Sequence, residues 1–202
     1  MHNVRFDDDH TKTQEGQVQD RVLTPSMRPL RYSRHLIRTT PQNKRKILFE
    51  AASTRTAERI NLTPRSLAVL EPYFFEKAPH WKAESDKAWD AIHRSLSDGT
   101  LSPVGGAYPL NHLVLGGHQL CSARNHIISL KSPEQVGDVA RALESMTKED
   151  FSERYHLIDE EEYGYPLSDE DLEYSWFWFC VVRDIFIRTA ETNRHIIFTV
   201  DQ

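Results

Sequence analysis

Ten histidines in a chain of 202 residues are the first groups to weigh for chemistry, because an imidazole titrates near neutral pH and can move a proton or hold a metal. Four of them fall in one third of the chain. His93 lies in DKAWDAIHRSLSDG (86–99), His112 and His118 bracket Gly116-Gly117 in PLNHLVLGGHQL (109–120), and His126 opens HIISL (126–130). His93 and His112 could serve as an acid/base pair beside a pocket lined by Trp89. The chain has no HExxH, no Cys/His zinc spacing and no paired acid at a matching offset, so no metal site is expected. Each histidine also has a plain structural reading, as a hydrogen-bonded core residue.

Gly105-Gly106 and Gly116-Gly117 could cradle an anion if their amides faced it at a helix start. Neither pair sits in GxGxxG or in a Walker-type loop, so a tight turn or the end of a short apolar element is the simpler reading of Gly116-Gly117. No GxSxG occurs, and Cys121 and Cys180 read as packed thiols, Cys180 because it lies inside the apolar WFWFCVV run. No cofactor is expected.

A second constellation is acidic and aromatic. Between Asp159 and Glu173 stand eight acids and no base, interleaved with Tyr163 and Tyr165 and followed by Trp176 and Trp178. Aromatic anchors beside steering charges are the composition of protein-binding surfaces. Asp159, Glu160, Glu161, Glu162, Tyr163, Tyr165, Asp169, Glu170, Asp171 and Trp178 are therefore the candidate partner-binding residues. The competing reading is a solvated acidic face with the tryptophans in the core. Between Arg21 and Phe49 the charge is opposite, eight Lys/Arg and no acid, which suits a polarised surface or internal pairing with the acids. The net charge of −5 argues against general nucleic-acid binding.

The elements that must position these residues follow from periodicity and caps. Residues 1–24 are polar and read as a flexible tail, with the rest as one domain. LRYSRHLIRT (30–39) suggests a strand, Thr40-Pro41 a helix start running to about Ala52, and 64–75 a short helix. Trp89, Ile92, His93 and Leu96 share one helix face, which Gly99 ends. HIISL reads as a buried strand. SPEQ (132–135) is a capping box, opening a helix with a Val136, Val139, Ala140, Leu143, Met146 stripe. TKED (147–150) repeats the start signal in weaker form. SDED (168–171) opens a last helix to about Thr192, buried on more than one side, and HIIFTV (195–200) closes the chain as a strand. Such alternation argues for a layered α/β or α+β domain. The longest apolar run has seven residues against about 20 for a span, and the N-terminus has no apolar leader core, so a cytoplasmic protein with no membrane contact is expected.

In their order, DKAWDAIHRSLSDG, PLNHLVLGG, the strand with its SPEQV helix, the aromatic last helix and the HIIFTV strand resemble the YfbM-like family of bacterial domains of unknown function. The resemblance is most specific over 80–202. It implies a compact three-layer fold, a mixed sheet flanked by helices, and brings no established reaction. Some members look to sit beside toxin genes as candidate immunity proteins, so a protein partner, such as a cognate toxin neutralised by direct binding, is the leading expectation. The alternative is a small enzyme acting on a nucleotide or ADP-ribosyl group through His93 and His112. A third reading has the basic 21–46 segment touching RNA.

Overall fold

The computed structural model describes residues 47–52, 79–123 and 126–201, so the expected tail over 1–24, strand over 30–39 and helix over 64–75 lie outside the described residues. The described strands are β1 (Ile47–Ala52), β2 (Lys82–Glu84), β3 (His118–Ala123), β4 (His126–Lys131) and β5 (His195–Asp201). They form one sheet in the order β2-β1-β5-β4-β3. Every described pairing is antiparallel, where the family resemblance implies a mixed sheet. The α+β class stands.

β1 corrects the helix expected up to Ala52. The helix-start signal of Thr40 as N-cap with Pro41 at N1 is local, whereas ILFEAA finds partners on both edges, β5 along all six residues and β2 along three. Pairing both backbone edges of an apolar segment outweighs a start signal several residues upstream. β3 is also new relative to the sequence reading. It pairs with β4 through a shift in register between Gln119 and Cys121, a bulge of the kind that bends a strand.

All the described α-helices but α1 start at a side-chain cap. α1 (Trp89–Leu96) continues a 3-10 turn over Asp86–Ala88. In α2 (Pro133–Glu144) both arms of the capping box are made, Gln135 N–H to Ser132 Oγ and Ser132 N–H to Gln135 Oε1, and the expected stripe from Val136 to Met146 is buried. In α3 (Lys148–Tyr155) Thr147 and Asp150 close a complete box too. α4 (Glu160–Tyr163) is a single turn, and α5 (Asp169–Glu191) runs from the Ser168 cap for 23 residues. Leu172, Ser175, Phe179, Val182, Phe186 and Thr189 form its buried stripe, while Glu173, Phe177, Asp184, Arg188 and Glu191 face solvent. Burial of α5 is thus broad but not all round.

The core lies between these helices and one sheet face. Directly paired residues share a face, so Ile127, Ser129 and Lys131 of β4 stand on the same side as Val200, Phe198 and Ile196 of β5. Ile196, Phe198 and Val200 belong to the hydrophobic core with Trp89 and Ile92 of α1, Val139 and Leu143 of α2, Phe151 and Tyr155 of α3, and Phe179 and Val182 of α5.

Candidate functional site

Residues 109–117 are built into that core. Leu110–His112 make one 3-10 turn, and Leu113, Val114 and Leu115 are fully buried. The following glycines are there for close approach. A Cβ on Gly116 would stand 2.6 Å from the Asn111 carbonyl oxygen and 2.7 Å from His112 Nδ1; one on Gly117, at φ +104°, would stand 2.6 Å from the Leu130 carbonyl oxygen. The pair feeds β3 and not a helix, so it lacks the helix N-terminus that a phosphate loop needs.

Beneath the Val114 carbonyl of this turn lies an unexpected residue, Lys131. Its side chain is fully buried on the core face of β4. Nζ donates to the Val114 carbonyl oxygen at 2.5 Å and to Ser129 Oγ at 2.5 Å, and lies 5.3 Å from the centre of the Phe198 ring. No carboxylate pairs with it among the described residues. Burial therefore holds its amine well below the usual lysine range. The only trace in the sequence is parity: Ile127, Ser129 and Lys131 alternate along HIISLK, which puts a lysine where an apolar residue belongs.

His93 is 1% exposed, and its Nε2–H donates to the Ser102 carbonyl oxygen at 3.0 Å. Burial pushes its pKa down to about 4, and the Ser102 bond opposes this. His112 is partly buried, edge-on to Tyr108 with ring centres 4.9 Å apart. Its Nδ1 lies 2.7 Å from Asn111 Oδ1. Asn111 Nδ2 donates to the Gly105 carbonyl at 3.0 Å, which fixes Oδ1 as the acceptor and so places the His112 proton on Nδ1. Burial lowers its pKa as well. His93 is turned to a backbone carbonyl and not to an open cleft.

The acidic segment divides into an inner and an outer part. Tyr163 and Asp171, both candidates for partner contact, are buried. The hydroxyls of Tyr155 and Tyr163 each donate to Asp171 Oδ2 at 2.8 Å, so these residues lock α3, α4 and α5 together and offer no surface. Trp178 is half-buried against Tyr174 and Phe177. Asp159, Glu160, Glu161, Glu162, Tyr165, Asp169 and Glu170 are exposed. Asp159 Oδ1 caps α4 through the amides of Glu161 and Glu162, and Glu160 Oε1 accepts from the Leu167 amide. The sequence reading missed two exposed apolar neighbours, Leu157 at 82% and Phe177 at 47% exposure. The basic 21–46 segment, proposed as a partner for these acids, lies outside the described residues. Among the described residues Glu162 meets Arg94, and Glu173 meets Lys148.

Cys180 is a free, half-buried thiol whose pKa burial raises, which disfavours the reactive thiolate. No three His, Cys, Asp or Glu side chains gather as a metal site among the described residues, and no described helix is long and apolar enough to cross a membrane.

An antiparallel sheet with helices packed over one face, a buried lysine beneath a glycine-terminated turn and an acid-rich outer edge define an α+β domain. Residues 36–199 match the family model described as "Domain of unknown function (DUF1877)", and the chain belongs to that family. Among solved structures it is similar to a protein of unknown function, YfbM from Escherichia coli, with a TM-score of 0.55 at 17% identity, over 77% of this chain and 99% of that one. At that identity the likeness speaks for the fold. No curated protein matches the chain.

Proposed function

We propose that this protein acts by binding another macromolecule without catalytic turnover, in its most concrete form as a cytoplasmic immunity protein that neutralises a cognate bacterial toxin by direct contact. The observation that carries this reading is the outer edge formed by α4 and the start of α5. Exposed Asp159, Glu160, Glu161, Glu162, Asp169 and Glu170 stand in sequence around exposed Leu157 and Tyr165, and Glu161, Asp169 and Glu170 have no side-chain ion pair among the described residues. Unneutralised acids raise encounter rates with a basic partner, and exposed aromatic and aliphatic groups supply the contact area. The geometry gives less support to an enzyme acting on a nucleotide or ADP-ribosyl group, because His93 is buried and held by a carbonyl.

The test is co-expression with the products of adjacent genes, followed by affinity purification and salt-dependent binding measurements. A 1:1 complex weakened at least tenfold by Glu161→Lys with Glu170→Lys supports the reading. Absence of any complex, or one that tolerates both reversals, overturns it.

A further inference from the structure

Between the end of α1 and the turn at Leu110 the chain closes on itself as an Ω-shaped loop. A Cβ on Gly106, at φ +74°, would stand 2.5 Å from Ser97 Cα, so the two ends of the loop touch. Three buried polar side chains hold its backbone. His93 Nε2–H donates to the Ser102 carbonyl at 3.0 Å, Arg94 Nη1 to the Gly99 carbonyl at 2.7 Å, and Asn111 Nδ2 to the Gly105 carbonyl at 3.0 Å. Within the loop the Gly105 N–H closes a turn onto the Ser102 carbonyl at 3.2 Å, with Pro103 at the first central position that its fixed φ suits. Segments of this kind ordinarily turn polar side chains to water. Here the order is reversed: Leu101, Val104 and Tyr108 are three of the six large apolar side chains exposed among the described residues, and Val104 at the turn is 86% exposed.

We propose that residues 97–108 are a preformed docking element for a protein partner, whose apolar pocket with a basic rim receives Val104 and Leu101, and that this element continues the acidic edge at 159–170. A loop already fixed in one shape binds without the entropy cost of ordering it. A small apolar patch among polar groups has the composition of a contact centre. The flanking charges are acidic on balance. Asp98 and Glu134 are exposed and have no ion pair among the described residues, while Asp138, which accepts from the Tyr108 hydroxyl, is offset by Arg141. That sign fits a basic protein surface and opposes an anionic lipid surface. Arg94 supplies the continuity, because the guanidinium that donates to the Gly99 carbonyl in the loop also donates at 3.1 Å to the Glu162 carbonyl in the edge.

This inference rests on the partner-binding reading and extends it from charge to apolar contact. The test uses the full chain with the adjacent-gene product that co-purifies with it. A photo-crosslinking benzoylphenylalanine in place of Val104 should join that product, and one in place of exposed Glu191, at the far end of α5, should not. Leu101→Ser with Val104→Ser should weaken the complex at least tenfold, by faster dissociation and equally at low and high salt. Glu161→Lys with Glu170→Lys should instead slow association, most at low salt. Unchanged affinity in the double serine variant, or crosslinks from position 161 and none from 104, overturns the inference and leaves the acidic edge standing. Absence of any complex overturns both readings. Co-sedimentation of the chain with phosphatidylglycerol vesicles, lost in the double serine variant, assigns the loop to a membrane and overturns the inference too. The crosslinks decide the matter even if the double variant loses stability.

Discussion

The Arg94 guanidinium reaches Glu162 twice, donating to its backbone carbonyl at 3.1 Å through Nη2 and lying 3.5 Å from its carboxylate through Nη1. The histidine-bearing helix and the acidic edge, separate constellations in the sequence, are therefore one mechanical unit. Arg94 also donates to Asp90 at 2.7 Å and to the Gly99 carbonyl at 2.7 Å, and its side chain is 6% exposed. Arg94→Met leaves these acceptors without their donor and is expected to cost about 3 kcal/mol in urea unfolding. Arg94→Lys should recover less than half, since three donors on a single nitrogen cannot span acceptors that Arg94 reaches from Nε, Nη1 and Nη2. Glu162→Ala should cost far less than either, because the backbone carbonyl survives and the lost carboxylate is exposed.

The Tyr155–Asp171–Tyr163 arrangement gives a second ordering. Tyr155→Phe and Tyr163→Phe each remove one hydrogen bond to a buried carboxylate and should cost about 2 kcal/mol. Asp171→Ala strands two hydroxyls and should cost more than either single change. The Tyr155 hydroxyl is held well above the usual tyrosine range, by burial first and by the Asp171 bond and charge next. Ultraviolet titration of Tyr163→Phe should thus show Tyr155 ionising only as the protein unfolds in alkali. Ionisation of Tyr155 within the folded protein would remove this account.

How much of this was readable from residues alone depended on whether the signal was local. SPEQ and TKED each carry their cap within four residues, and the helices they open are where the spacing puts them. β1 depends on β5, nearly 150 positions away, and no local pattern reports that pairing. Tyr163 and Asp171 read as surface because their neighbours are acids, and only the meeting of α3, α4 and α5 turns them inward. Lys131 was hidden for the same reason: strand parity marks its face, but its acceptor Val114 comes from a turn that sequence reading takes for a boundary.

Acid sensitivity follows from His93. Its ordinary pKa is 6.5, and in the fold it is pushed down to about 4, chiefly by burial. The unfolded chain thus binds the proton first, so the contribution is fully present above pH 6.5 and is lost as pH falls toward 4. The slope in that window should reach about 1.4 kcal/mol per pH unit from this residue. His93→Gln keeps a donor for Ser102 and should flatten the melting temperature between pH 7 and 4.5 relative to the wild type. An unchanged slope would assign the acid sensitivity to other groups.

Three glycines should respond to alanine in opposite directions. Gly137 lies within α2, where a Cβ would meet Arg141 Nη1 at an ordinary 3.5 Å. Gly137→Ala should therefore stabilise by about 0.5–1 kcal/mol through helix propensity and unfolded-chain entropy. Gly116→Ala drives a methyl onto a backbone oxygen and the His112 ring, and should cost about 2 kcal/mol through overpacking. Gly117→Ala meets the Leu130 carbonyl and must also hold φ near +104°, so it should cost more than Gly116→Ala. The Gly116 change carries a second readout, because displacing the imidazole from Asn111 should shift the His112 titration in proton NMR. A tolerated Gly117→Ala would mean that the 109–117 turn is not locked against β4, and with it the placement of Val114 over Lys131 would fall.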